Sequence, residues 1–267
     1  MSELAKRILV ALPAAAFFIW MVWLGGAAFQ ITIFAVLLIT VWEVHNMMVK
    51  TGFSDFFPVS LLLVLLLWSP PFIPWWLILT AAGVASLLTV IAVAGRQSDR
   101  SVRWLTTLFT GVYPTVGFMM LVNIRELGTT TIDGFWLTMT LLLMIWGNDV
   151  FAYFGGKSFG KHKLAPKISP KKTWEGFGFG FLGAAAGFLI AFFWADFHPL
   201  RLSAIIPAVV IVSIAGPLGD ISASRVKRIA GVKDSSNILP GHGGLFDRFD
   251  SLLLSAPFIY FLYYLIL

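Results

Sequence analysis

Apolar runs close to the roughly twenty residues that a helix needs to cross a bilayer core recur along almost the whole of this chain. An ordinary soluble domain has no place for so much oil. Of 267 residues 58% are hydrophobic, 25 are Phe and 11 are Trp, and the mean hydropathy is +0.88. The runs lack the alternating period of outer-membrane barrel strands. The expected fold class is all-α, a polytopic integral membrane protein.

Polar breaks divide the chain into about nine spans. They run over Ile8–Gly25, Ile31–Met48, Phe57–Trp68, Trp75–Ala94, Trp104–Ile124, Phe135–Phe154, Trp174–Ala195, Ser203–Gly219 and Ser251–Leu267. The third and fourth are separated by a turn at Ser69-Pro70-Pro71-Phe72-Ile73-Pro74, and the eighth is expected to continue as helix towards Ile229. The basic start at Lys6 and Arg7 before an apolar run is read as an uncleaved first helix rather than a signal peptide. With nine spans and a cytoplasmic amino terminus, 17 of the 19 Lys and Arg fall on the cytoplasmic side, leaving only Arg125 and Arg201 opposite. This bias follows the positive-inside rule and puts the carboxyl terminus on the other side. Cysteine is absent, so disulfides and thiolate chemistry are excluded.

Charge is scarce, at 12% of residues, and it is concentrated after Trp146. Residues 1–133 are read as a helical scaffold and 134–267 as the region that carries the chemistry. The first 130 residues are read as holding few charges that need a chemical explanation. Ionisable groups near the membrane are functional candidates by default.

The first polar segment begins at Trp146-Gly-Asn148-Asp149, expected about one turn inside the membrane end of the sixth helix. Tyr153 lies four residues on, on the face of Asp149. A loop rich in Gly and Lys follows, through Lys157, Lys161, Lys163, Lys167, Lys171 and Lys172, and suits polyanions such as phosphates. Its bland reading is a positive-inside loop facing anionic headgroups. Either Ser169 or Thr173 is expected to cap the seventh helix.

The second segment, residues 219–250, has more geometric content. On a continuing eighth helix Asp220, Ser224, Lys227 and Arg228 share one face. Pro240-Gly-His242-Gly243-Gly244-Leu is a turn whose glycines let backbone N–H groups approach a ligand. It opens into Asp247-Arg248-Phe-Asp250 at the start of the last helix, where acids also suit the helix dipole. Asp149, Asp220, Asp247 and Asp250 form a candidate all-oxygen site for Mg²⁺. His242 is either catalytic or a turn histidine bonded to its own loop. No GxSxG elbow or P-loop is present. Carboxylates for a hard metal, with Lys and Arg for phosphate, suit phosphoryl or nucleotidyl transfer.

Ser224-x-x-Lys227-Arg228, Lys233-Asp234-Ser235 and Pro240-Gly-His242-Gly-Gly-Leu-x-Asp247-Arg248-x-Asp250 together resemble the signature of the CDP-diacylglycerol synthase (phosphatidate cytidylyltransferase) family. Tyr153, Lys157, Lys161, Ser169 and Lys172-Thr173-Trp-Glu175-Gly176 extend the resemblance, with Lys172 the counterpart of the family's lysine. It implies that phosphatidate and CTP give CDP-diacylglycerol and pyrophosphate, with Mg²⁺ and also K⁺. It assigns Asp220 and Asp247 to the metal, with Asp250 or Asp149 as further ligands. Lys172, Lys227, Arg228 and Arg248 would hold phosphates, and Ser169, Ser224, Lys233, His242, Gly243, Gly244, Tyr153 and Lys157 would line the substrate site. It further implies a homodimer, the bilayer and the two substrates as partners, no nucleic acid, and a bacterial inner membrane with the site facing the cytoplasm. The chain departs from the family at Ala223, where an acid is common, and Ala223→Glu is expected to be tolerated. The alternatives are a membrane lipid kinase and, outside enzymes, a cation or phosphate transporter, against which the absence of internal repeats and the crowding of charge into the second half weigh.

Overall fold

The computed structural model describes residues 3–68, 100–195 and 198–267. Its helices are α1 (Glu3–Leu24), α2 (Gly26–Thr51), α3 (Phe57–Trp68), α4 (Arg100–Glu126), α5 (Thr131–Phe159), α6 (Trp174–Trp194), α7 (Ile205–Ile229) and α8 (Phe246–Ile266). Among the described residues, six helical stretches are long and apolar enough to span a membrane: Gly26–Thr51, Val102–Glu126, Thr131–Phe159, Trp174–Trp194, Leu202–Ile229 and Phe246–Ile266. The protein is an all-α integral membrane protein. Side chains such as Phe193, Trp194 and Ile206 are 74%, 76% and 72% exposed, which lipid tolerates and water does not. The expected fourth span, Trp75–Ala94, and the turn before it lie outside the described residues.

Three sequence expectations are corrected. Helix α5 runs on to Phe159, so Asp149 sits well within a helix rather than one turn from its end. The segment after it is not simply a loop. It forms a two-stranded antiparallel hairpin, β1 (Lys163–Ala165) with β2 (Ser169–Thr173), pairing Lys163 with Thr173 and Ala165 with Ser169. The third concerns buried charge in the first 130 residues, notably Glu43, described below. As expected, α7 continues to Ile229, and α8 opens just before Asp247.

The chain packs as two compact units, each assembled from separated segments. One comprises Met1–Ala15, Ile31–Met119 and Arg225–Phe249. In it, Asp55 accepts hydrogen bonds from Ser60 Oγ (2.9 Å) and pairs with His45 Nδ1, while Thr107 Oγ1 accepts from Phe56 N (2.9 Å). These bonds tie α2, α3 and α4 together around buried polar groups that lipid could not satisfy.

The other unit comprises Ala16–Gln30, Met120–Ser224 and Asp250–Leu267. Its spine is the pairing of α5 and α6, which approach backbone to backbone. A Cβ on Gly147 would lie 2.2 Å from Gly183 O, and one on Gly187 would lie 2.2 Å from Leu143 O. Small residues at the crossing are how membrane helices gain van der Waals contact without a hydrophobic drive. Arg125 is buried in this unit, donating from Nε to Val22 O (2.6 Å) and from Nη2 to Trp23 O (3.1 Å) at the end of α1.

Candidate active site

The unit built on α5 and α6 holds a cavity of about 520 Å³, within the usual size of a small-molecule site. Helix α5 contributes Asn148, Asp149, Tyr153, Gly156 and Lys157, the hairpin contributes Lys163, Leu164, Lys171 and Lys172, and α7 contributes Pro217 and Asp220. The wall of α6 adds Gly176 and Phe177.

Local sequence explains this convergence. Thr173, not Ser169, caps α6: its hydroxyl accepts from Gly176 N at 3.1 Å. Glu175 in the first turn accepts from Lys161 N (3.1 Å) and from His162 Nδ1 (2.7 Å), pinning the start of the hairpin to the helix. Gly176 and Gly156 leave room for the crossing, since a Cβ on Gly176 would lie 2.6 Å from Ala152 O. The hairpin is thereby held at the junction of α5 and α6 with Lys163, Lys171 and Lys172 lining the cavity.

Lys172 Nζ meets Asp220 Oδ2 at 2.7 Å and also reaches Pro217 O at 3.4 Å. Ser224 Oγ donates to Asp220 Oδ1 at 3.1 Å, one helical turn on. Among the described residues, Lys157, Lys163 and Lys171 have no acid within ion-pair distance. Four lysines against two carboxylates give the cavity an excess of positive charge, which suits a polyanion. Beside them Asn148 is buried, and its side-chain nitrogen has no hydrogen-bond partner among the described residues.

The other unit holds a second group. Lys227 Nζ meets Asp247 Oδ1 at 2.5 Å, and Asp247 Oδ2 accepts from Ser235 N (2.8 Å), Ser235 Oγ (2.9 Å) and Gly244 N (3.0 Å). Both charges are largely removed from solvent. Gly243 has φ +78°, the left-handed conformation that favours glycine, in the turn beside them. His242 Nδ1 lies 3.4 Å from Pro240 O, within its own turn.

Asp149, Tyr153, Lys157, Lys172 and Asp220 share the cavity, with Ser224 bonded to Asp220. Lys227, Asp247 and Gly244 share the second group. Ser169 pairs in β2 and does not line the cavity. Arg228, Lys233 and Arg248 are exposed, with Arg228 donating to Val232 O at 3.2 Å. Asp250 is buried, with Oδ1 accepting from Ser251 N at 2.7 Å. Among the described residues no three or more acids and imidazoles are grouped around a point where a metal would sit. Ala223 is 2% exposed, so the expectation that Ala223→Glu is tolerated gives way: the new carboxylate would be taken out of water.

Sequence reasoning missed Glu43. It is fully buried in α2 and its carboxylate accepts hydrogen bonds from Ser235 Oγ, Ser236 Oγ, Leu245 N and Phe246 N. The signal was a single acid inside an apolar span, the same signal that singled out Asp149.

From residue 5 to residue 266 the chain matches the model of the cytidylyltransferase family. The chain belongs to that family. Among curated relatives, the phosphatidate cytidylyltransferase of Bacillus subtilis (strain 168) is 35% identical over 281 aligned residues, covering 98% of each chain. That of Brucella abortus biovar 1 (strain 9-941) is 32% identical and covers 97% of this chain and 93% of its own. That of Haemophilus influenzae is 34% identical over 73% of this chain and 67% of its own. In this cytidylyltransferase, charge is gathered in the lysine-lined cavity and in the Lys227–Asp247 group.

Proposed function

We propose that the protein is a phosphatidate cytidylyltransferase, a nucleotidyltransferase that makes CDP-diacylglycerol and pyrophosphate from CTP and phosphatidate for phospholipid synthesis. The observation that carries this reading is the cavity that brings Lys157, Lys163 and Lys171 together with Asp149 and the Lys172–Asp220 pair. The likeness over nearly the full length to proteins of that name supports it.

The chemistry needs little from a base. A phosphate monoester has a second pKa near ~6, so the phosphatidate headgroup is largely a dianion at neutral pH. One of its oxygens forms a bond to the α-phosphorus of CTP, and the bond from that phosphorus to the bridging oxygen breaks, releasing pyrophosphate. The obstacle is bringing two polyanions together. Lys157, Lys163, Lys171 and Lys172 oppose that repulsion by binding phosphate oxygens. Tyr153 and Asn148 offer polar contacts in the same wall.

Asp149 and Asp220 are hard-oxygen groups in one cavity, the donor chemistry that Mg²⁺ takes. Two carboxylates suffice there, because Mg²⁺ is commonly held by one or two carboxylates together with substrate phosphates and water. When bound, Mg²⁺ supplies neutralisation of phosphate charge. Lys172 holds Asp220 in place and is positioned to exchange that carboxylate for a phosphate. Asp247 and Lys227, with Asp250, Arg228 and Arg248, are the further metal- and phosphate-directed residues of the reading, and K⁺ is a further ion.

The same reading places nine spans in a bacterial inner membrane. The amino terminus and the active site face the cytoplasm, the carboxyl terminus lies opposite, and two copies pair. The distribution of Lys and Arg supports this orientation. Purified protein supplied with CTP, phosphatidate and Mg²⁺ is expected to release pyrophosphate. Release of CDP instead would indicate a lipid kinase, and the reading would be wrong.

A further inference from the structure

The Gly-rich turn that presents Asp247 is held from outside its own segment. Glu43 projects from α2, a helix that sequence reasoning left as scaffold, and is fully buried. Its Oε1 accepts from Ser236 Oγ (2.6 Å) and Leu245 N (3.0 Å), and its Oε2 from Ser235 Oγ (3.1 Å) and Phe246 N (2.7 Å). The donors fill the acceptor positions of the carboxylate, with the single Ser235 hydroxyl proton shared between Glu43 and Asp247. Two of them are backbone N–H groups at the start of α8, which have no partner within the helix.

Ser235 joins this clamp to Asp247. Its hydroxyl lies between Glu43 Oε2 and Asp247 Oδ2 (2.9 Å), and its backbone N–H donates to that same Asp247 oxygen. The turn closes tightly on both acids: a Cβ on Gly244 would lie 2.1 Å from Ser235 Oγ and 2.4 Å from Glu43 Oε1. We infer that Glu43 is a positioning residue for the transfer reaction. It clamps residues 235–246 so that the Asp247 carboxylate is presented, beside Lys227, in a single orientation. The inference rests on the proposed function for its kinetic consequence, but the clamp itself does not.

Asp247 is fixed by bonds from Ser235 and Gly244, and Glu43 holds the segments that carry both. A glutamine at 43 has the same shape but turns an amide group toward two donors. Phe246 N–H cannot accept from it, so at least one buried donor loses its partner. Loosening the turn by that route lowers turnover without touching the lipid.

The test uses full-length protein in phospholipid nanodiscs, comparing wild type with Glu43→Gln, Glu43→Asp and Ser236→Ala. Pyrophosphate release gives kcat and KM, and amide hydrogen exchange reports local opening. Glu43→Gln is expected to lower kcat about tenfold or more, the scale of losing a buried hydrogen bond. KM for phosphatidate is expected to stay within about twofold, because the lost interaction is not one made with the lipid. Exchange is expected to rise across 235–246 and to stay unchanged in α5 and α6. Combining Glu43→Gln with Ser235→Ala is expected to cost less than the product of the two single losses, since both act on one network.

Wild-type kcat with unchanged exchange in 235–246 would overturn the inference. If Glu43→Gln does not fold, Ser236→Ala, which removes one donor and keeps the acid, carries the same two readouts. A wild-type protein that releases no pyrophosphate would overturn the proposed function, while the exchange data would still decide whether the clamp exists.

Discussion

Two lysine–carboxylate pairs, Lys172–Asp220 and Lys227–Asp247, share their chemistry and differ in almost everything else. The first lies on a cavity, with side chains 24% and 34% exposed; the second is 10% and 3% exposed. Asp220 has one further donor, Ser224 Oγ, while Asp247 has three more bonds, from Ser235 and Gly244. A half-open ion pair is weak and its partners can be exchanged. A buried one is held by geometry, and removing either partner strands a charge. The first pair is suited to trading its contacts for a metal and phosphates, the second to keeping one arrangement.

That contrast can be broken by mutation. The largest expected effect is loss of turnover in both Asp220→Asn and Asp247→Asn, measured as pyrophosphate release from inserted protein. Near-wild-type activity in both would remove the metal assignment. Stability then separates them. Lys227→Met, which leaves Asp247 buried without its cation, is expected to cost about 3–5 kcal/mol in reversible unfolding. Lys172→Met is expected to cost under about 1 kcal/mol while still impairing activity. Equal costs for the two would show that burial does not distinguish the pairs.

Smaller effects sharpen the picture within the cavity unit. Gly147→Ala puts a methyl where Gly183 O stands, so α5 and α6 must separate, at about 1–3 kcal/mol, read as a lower melting temperature. Lys163→Ala or Lys171→Ala is expected to raise KM for CTP a few-fold, about the scale of one partly screened charge contact. The difference from wild type should shrink as salt is added. A KM unaffected by either substitution would argue that these lysines face lipid headgroups rather than nucleotide.

Much of the helical frame was legible because a bilayer leaves the backbone few choices. Long apolar runs must be helices there, and the predicted ends at Phe57, Trp68 and Trp174 agree with the described ones. Asp149, Tyr153, Lys157, Lys172 and Asp220 were legible as charged or polar groups breaking an oily pattern. Glu43 was not, because its partners lie about two hundred residues away and a charge density read along the chain cannot see them. The β1–β2 hairpin escaped because its strands are short and lysine-rich, without alternation to read. A linear boundary at 133/134 follows polar content, whereas the two compact units follow packing and interleave along the chain.

The central claim is that the cavity serves attack of a lipid phosphate on the α-phosphorus of CTP. The most direct measurement follows label from CTP into lipid, using nucleotide marked at either the α- or the γ-phosphorus. The α label is expected to enter the lipid fraction and the γ label to leave as pyrophosphate, with both transfers lost in Asp220→Asn. Entry of the γ label into lipid, or transfer that survives Asp220→Asn unchanged, would contradict that claim.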